Sequence, residues 1–453
     1  MEKLRRWWSF NEAEETASVD NPFEPLRDSQ RQNTLPMLVL AFGWGFLVTG
    51  LLTGGALGQG VPFWPELIGA AAVGNFVNFV IGALIGYMGY RTGCNSALLY
   101  RYVYGRIGVV LPVLFIALLT IGWQAIIVGA FGFAWAQSFE TPLFYGVAIA
   151  GGLLFTATTY FGVKGIEKVA LPSVLVLLLV GLYAGWSNIA QAGGWNAFLA
   201  ESTALAAREP ISFGAAVNLV IGSWIVGAVV MPEYTRFAKR GWVAVAIPFI
   251  VLIISQWFLQ IVGALGAVVA GTPDFTTYML AQGMVVGGVG LVGMSLALWT
   301  TGDANLYLPA IQTASVLRRP KRVMVVLCGV IGTVLGLGLY QYFENWIAIL
   351  AALVPPLIGP ALVDYYIVHR GRYDAQDLHR LHAWNPAAVA AYLLGALSTF
   401  FPLSWLVPSL QGLLVSMLAY GVAVALAQAL GYAPGYRRGA AGAASGALAG
   451  TGP

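Results

Sequence analysis

Every lysine and arginine of this chain except Arg208 lies in a terminal segment or in every second gap between long apolar segments. That alternation constrains the fold before any motif does. The basic gaps hold Arg91, Arg101 and Arg106; Lys164 and Lys168; Arg236, Lys239 and Arg240; Arg318, Arg319, Lys321 and Arg322; and Arg370, Arg372 and Arg380. The N-terminal segment adds Lys3, Arg5, Arg6, Arg27 and Arg31, and the tail Arg437 and Arg438. Positive charge is retained on the cytoplasmic face of membrane proteins, so both termini and these five gaps are expected there, with Arg208 outside.

The rest of the composition agrees. Of 453 residues 58% are apolar and only 9% charged, whereas about a quarter of a soluble domain is charged. The net charge of +4 sits in loops beside the bilayer and implies a lipid partner, not nucleic acid. Cys94 and Cys328 fall at or near cytoplasmic span ends, where thiols stay reduced, so no disulfide is expected. The first 33 residues lack the apolar core of a signal peptide and read as a cytoplasmic tail.

Twelve apolar segments have the roughly 20-residue length that crosses a hydrocarbon core. They are Thr34–Ala56, Pro65–Tyr90, Gly108–Gln137, Leu143–Val163, Ile166–Ile189, Ile211–Phe237, Trp242–Ala270, Tyr278–Leu308, Val323–Tyr342, Trp346–Val368, Pro386–Phe401 and Val407–Leu430. The longest polar stretches are the N-terminal tail and the Gln191–Glu209 loop, and the segment 431–453 is low-complexity and expected to be disordered. Any chemistry must therefore lie within the bundle.

Spans 1 and 6 share mid-span glycine beside an aromatic ring, FGWGF at Phe42–Phe46 and GSWIVG at Gly222–Gly227. Five spans apart, they have opposite orientations, the pattern of an inverted repeat whose paired broken helices form a midplane site. The competing account is that these glycines let helices pack closely. Gly288-x-Gly290-x-x-Gly293 follows no strand and is a packing pattern, not a dinucleotide fingerprint. His369, His379 and His382 lie at the end of span 10 or just beyond it, without an HExxH motif or a cysteine cluster, so no enzyme is expected.

Ionisable residues inside spans are few. Glu233 and Arg236 share a helical face and read as a local pair; Asp364 reads as a helix-end anchor. Asp303, well inside span 8, is either a structural hydrogen-bonding group or a proton site. A cavity in such a bundle carries little fixed charge, which suits a neutral ligand.

Seven short motifs then occur in order. They are TGGALGQG at Thr53–Gly60, RYVYGRIGVVLP at Arg101–Pro112, GW at Gly122-Trp123, GSW at Gly222–Trp224, EYTRF at Glu233–Phe237, LWTTGDANLY at Leu298–Tyr307, and VPPLIGPALVDYYIVHRGRY at Val354–Tyr373. In these the chain resembles the nucleobase:cation symporter-1 family, cytosine permease branch. The resemblance implies an all-α membrane protein with twelve spans of LeuT type. Residues 34–189 would form the first inverted repeat, 211–368 the second, and 386–430 two further spans. It also implies uptake of a nucleobase or related heterocycle, driven by sodium or protons, with no other cofactor.

The family's sodium site carries over to the carbonyls of Gly43 and Phe46, freed by a break in span 1, and to Ala297, Thr300 and Thr301 of span 8. Ala297 is three and four residues before the threonines, so one side of the helix can present all three oxygens. Paired threonines also often bond back to their own helix. The substrate site carries over to Trp123 and Trp224, mid-span where indoles ordinarily sit at the interfaces, with main-chain groups at Ser223. Here the chain departs from the cytosine branch: Thr120 stands where that branch has Gln, with Gln124 after Trp123, and Gly302 and Ala304 stand where it has Asn. Cytosine, another pyrimidine, a hydroxypyrimidine and a purine all stay open as substrates. The rivals are an amino-acid or polyamine transporter of the same fold and a membrane receptor or scaffold. No pattern speaks to oligomeric state.

Overall fold

The structure, a computed structural model, describes residues 24–161, 193–374, 378 and 380–431, with positions 179, 182–183, 185–187 and 189–190 between them. Eight of its helices are long and apolar enough to cross a bilayer: Phe63–Thr92, Val110–Ala136, Pro142–Phe161, Phe213–Thr235, Gly241–Ala270, Met284–Ala314, Leu339–Val368 and Pro408–Ala429. Span 1 is a further crossing made of two helices, Thr34–Gly45 and Thr49–Gly60, bent by 40° at the break. Spans 9 and 11 are the shorter helices Lys321–Gly336 and Pro386–Ser398. Span 5 falls almost wholly outside the described residues, as do His379 and both tails beyond residues 24 and 431. Helices satisfy their own backbone groups, which is what a chain without water to bond must do.

The break in span 1 comes where the glycine-aromatic run ends. Phe46 leaves helical geometry (φ −87°, ψ 36°), its N–H still bonded to the Phe42 carbonyl at 3.1 Å, and the second helix starts at Thr49. Beyond the break, Gly50, Gly54 and Gly58 press span 1 onto span 7; a Cβ on Gly50 would lie 2.6 Å from Leu259 Cβ, and one on Gly54 would overlap the Gln260 carbonyl. This is the small-residue packing that membrane helices use in place of a hydrophobic driving force.

Span 6 corrects the expectation. Its helix runs unbroken from Phe213 to Val229, through Gly222–Gly227, and gives way only at Val230 and Met231 before the short helix Pro232–Thr235. Gly222 faces the Ile347 carbonyl so closely that no Cβ fits, and Gly227 lies under the Trp224 ring. Gly222 is a packing contact between helices, Gly227 leaves room for the Trp224 ring, and the interruption comes ahead of Pro232, which cannot donate to the preceding turn.

The two ends of the bundle are tied differently. At the end carrying the basic gaps, the chain before span 1 lies across the base: Leu26 N–H bonds the Gly93 carbonyl at 2.8 Å, Gln32 N–H bonds Phe237 at 2.7 Å, and Arg31 reaches the Ala238 carbonyl at 2.8 Å. Helix Ser96–Tyr104 follows span 2 there, and Glu233 accepts from the Ser96 N–H and hydroxyl. Asp364 takes hydrogen bonds from Tyr373 at 2.5 Å and Tyr420 at 2.7 Å, with His369 Nδ1 at 3.1 Å, so it anchors spans 10 and 12 as its position suggested.

At the other end, the expected polar loop contains helix Trp195–Ala206, whose Ser202 hydroxyl caps the Phe63 N–H at 2.8 Å. Tyr278, expected to begin span 8, belongs instead to a separate helix, Phe275–Ala281; span 8 starts at Met284. Asp274 caps that short helix and accepts from Tyr340 at 3.0 Å, while Thr277 bonds Gln137 at the end of span 3 at 2.7 Å. Residues of alternate sequence gaps thus gather at opposite ends, as the charge pattern requires.

Candidate binding cavity

Spans 1, 3, 6 and 8 enclose a cavity lined by Trp44, Leu47, Thr49, Thr120, Trp123, Ser223, Trp224, Val226, Gly227, Val230, Asn305 and Leu308. No lining residue carries a charge. The break in span 1 turns Leu47 and Thr49 to face it, and the intact helix of span 6 presents Ser223, Trp224 and Gly227 from adjoining turns. Three indoles stand in the wall. Trp224 meets Trp44 edge to face with centroids 5.2 Å apart, and Trp44 in turn lies 4.2 Å from Tyr234. Trp123 is braced edge-on by Phe343 at 6.0 Å.

The polar groups have an uneven hydrogen-bond balance. Trp224 Nε1–H donates to the Thr49 hydroxyl at 3.2 Å, which orients that ring. Ser223 donates to the Val220 carbonyl at 2.8 Å, and Thr120 to Ile116 and Ala117 at 3.0 and 2.9 Å. Both hydroxyls therefore face the cavity as acceptors. The Asn305 Nδ2 is buried and has no partner among the described residues; it is a donor the wall still has to offer. A buried donor left unmatched costs on the order of 1–3 kcal/mol, which a ligand carbonyl or ring nitrogen would recover.

The cavity is small. The space open to the centre of a water-sized sphere is about 30 Å³, against the roughly 10–15 Å³ that one water needs. A planar heterocycle needs more room than this, so its entry requires the indoles to separate.

Four of the residues expected to bind substrate, Thr120, Trp123, Ser223 and Trp224, come together here. Two do not. Gln124 turns toward span 9, where its Cγ would lie 2.8 Å from a Cβ on Gly332, and Gly302 packs against the Phe155 ring of span 4. Trp44 and Asn305 were missed. Asn305 is one helical turn beyond Thr301, a spacing that puts both on one face; Trp44 lies inside the FGWGF run itself.

Beside the cavity, span 8 approaches the break in span 1. The Val48 N–H points at the Thr301 hydroxyl at 3.4 Å, and Thr300 bonds back to the Ala297 carbonyl at 3.0 Å. The five expected cation ligands thus lie on two elements in contact, Gly43 and Phe46 on one and Ala297, Thr300 and Thr301 on the other. These are neutral oxygens, the ligand type a hard monovalent cation takes. Asp303 faces away toward span 4, accepting from Thr158 at 2.7 Å and Thr159 at 3.2 Å; its Oδ2 is buried without a partner among the described residues.

A bundle of crossing helices around a broken span, with an uncharged indole-lined cavity at the break, defines a transporter of small neutral solutes. Residues 25–422 match the family model for permeases of cytosine and purines, uracil, thiamine and allantoin, and the chain belongs to that family. It is 30% identical over 380 residues to the cytosine permease of Escherichia coli O157:H7, covering 83% of this chain and 88% of that protein. Among solved structures it is similar to Mhp1, a nucleobase-cation-symport-1 family transporter, in a closed conformation with bromovinylhydantoin bound. There the TM-score is 0.75 at 20% identity, over 91% of this chain and 97% of Mhp1. A sodium-coupled sialic acid symporter gives a TM-score of 0.65 at 12% identity, covering 94% of both chains. The fold is thus the LeuT-type arrangement, and the protein is a multi-pass membrane permease rather than an enzyme.

Proposed function

We propose that this permease imports a neutral nucleobase or close heterocyclic relative together with sodium, by alternating access. The observation that carries the reading is the cavity wall: three indoles, no charge, and one unmatched amide donor. A flat base gives up hydration on entry, which stacking on indole faces offsets, while the Asn305 amide fits an edge where a ring nitrogen or carbonyl accepts. An amino-acid or polyamine substrate would bring a charged group to a wall that has no counter-charge for it. Likeness to a cytosine permease and to a hydantoin-binding transporter supports the same solute class. The approach of Thr301 to the break in span 1 supports the cation part of this reading.

Uptake into proteoliposomes from a panel of cytosine, uracil, hypoxanthine, hydantoin and neutral amino acids tests the solute class. Nucleobases should compete and amino acids should not; counterflow of labelled base distinguishes transport from binding alone. Within the panel, Asn305→Leu should weaken binding of the preferred base by about threefold to tenfold, the worth of one neutral hydrogen bond. An unchanged dissociation constant would remove Asn305 from the ligand's edge.

The same reading places both termini in the cytoplasm of a bacterial-type inner membrane. Arg208→Cys should react with an impermeant thiol reagent added to intact cells, and Lys239→Cys should not. Both positions are exposed, and the native cysteines, Cys94 and Cys328, are buried. The reverse pattern would invert the topology.

A further inference from the structure

The break in span 1 is held by a residue outside both the cation ligands and the cavity. Gln256 of span 7 is fully buried; its Nε2 donates to the Gly45 carbonyl at 2.7 Å and to the Leu47 carbonyl at 3.2 Å. It closes the π-helical stretch Phe249–Gln256, which lies between the α-helical stretches Gly241–Pro248 and Trp257–Ala270. Single π-helical turns inside α-helices are uncommon and recur at functional sites, because they re-aim a side chain without ending the helix.

A broken membrane helix exposes carbonyls that lipid cannot satisfy. Gln256 takes the carbonyls of Gly45 and Leu47, so those of Gly43 and Phe46 are not held by it. The anchor is itself braced. One turn along span 7, Gln260 accepts from Asn75 of span 2 at 2.6 Å, and Asn78 of span 2 donates to the Val220 and Ile221 carbonyls of span 6 at 3.2 and 3.1 Å. All four amide side chains are fully buried. They link the break in span 1, through spans 7 and 2, to the turn of span 6 just before Ser223 and Trp224.

We infer that Gln256 is a positioning residue for cation binding: by occupying the Gly45 and Leu47 carbonyls it presents those of Gly43 and Phe46 to span 8, without touching the ion. This rests on the sodium reading of the same site. A bond that merely stabilised the fold would set thermal stability alone, whereas a positioning bond sets how much sodium is needed to stabilise the protein further.

The test is the thermal unfolding midpoint of the purified full-length protein, titrated with sodium chloride against choline chloride at constant ionic strength. Ligand binding to the native state raises the midpoint in proportion to ln(1 + [L]/Kd), so a fit of the rise against sodium concentration gives the sodium that half-saturates the native site. In Gln256→Met, similar in length but without a donor, half-saturating sodium should rise about tenfold, the cost of roughly one to two hydrogen bonds. Gln256→Asn, which keeps the carboxamide on a shorter stem, should fall between parent and Gln256→Met. Gly50→Ala provides a second variant, since its Cβ would lie 2.6 Å from Leu259 Cβ and 2.8 Å from the Gln256 Oε1 and so displace span 7 and the amide together while leaving the amide in the chain; it should shift half-saturation in the same direction. A lowered midpoint in choline with unchanged half-saturating sodium in Gln256→Met would overturn the role, and so would an unchanged value in Gly50→Ala should Gln256→Met not fold. A parent protein whose midpoint ignores sodium would overturn the cation reading itself, and this role with it.

Discussion

Replacing Trp224 by alanine is expected to raise the dissociation constant of the transported base at least about tenfold. Stacking of a base on an aromatic side chain is worth about 1–3 kcal/mol by alanine substitution, and about 1.4 kcal/mol is a factor of ten. Trp224 is also held by Trp44 and by its bond to Thr49, so its removal loosens a second wall residue. Trp123→Ala should lose a similar amount, because Trp123 lines the same cavity from span 3. Phenylalanine should retain much of the binding at both positions. At 224 it should retain less than at 123, since the Thr49 bond is lost with the indole nitrogen. Leucine, comparably apolar but not flat, should behave like alanine. Equilibrium binding of the preferred base to the purified variants measures this, and equal tolerance of Phe and Leu at both sites would place the ligand elsewhere.

What the sequence showed about this site, and what it hid, follows from the range of the interactions. Span lengths and the alternation of basic gaps are local properties, so the layout was legible for the spans that fall on described residues, apart from the start of span 8. Trp123 and Trp224 stood out because an indole at mid-span is out of its usual place. Glycine was the ambiguous letter. The same residue frees a backbone in span 1 and closes a helix contact in span 6, and only the Ile347 carbonyl across from Gly222, 125 residues away in the chain, separates the two uses. Gln124 and Thr120 were both near the right face of span 3, but Gln124 lies about 100° round the helix from Trp123 and Thr120 only about 60°. That difference sends Gln124 to Gly332 of span 9 and leaves Thr120 on the cavity. Trp44 was hidden inside a motif read for its glycines. Gln256 carried no signal at all, because its partners are main-chain carbonyls that every sequence contains, and its role exists only once span 7 lies against the break.

Thr301→Ala should separate sodium dependence from expression more sharply than Thr300→Ala. The Thr301 hydroxyl already spans the gap between span 8 and the break, receiving the Val48 N–H at 3.4 Å. A cation entering between the Gly43 and Phe46 carbonyls and span 8 would take that oxygen as a ligand. The Thr300 hydroxyl donates to its own helix at Ala297, which leaves its lone pairs free to serve as a second, weaker-placed ligand. A cation filling the site would draw span 1 toward span 8 and fix the wall on which Trp44, Leu47 and Thr49 are carried, so sodium should tighten base binding and base should tighten sodium binding equally. Such coupling is typically about 1–3 kcal/mol, or roughly 5- to 150-fold in affinity. In Thr301→Ala the sodium-induced gain in base affinity should fall to near unity, while binding in choline stays close to the parent's. Thr300→Ala should keep part of the gain. The measurement is base binding at a series of sodium concentrations, with choline holding ionic strength constant, because exposed charges are screened by salt of any kind. If the parent's uptake is the same in choline and instead follows a pH gradient, the coupling ion is a proton. The threonines then revert to helix-packing groups, and Asp303, with its unmatched buried oxygen beside Thr158 and Thr159, becomes the residue to replace by asparagine.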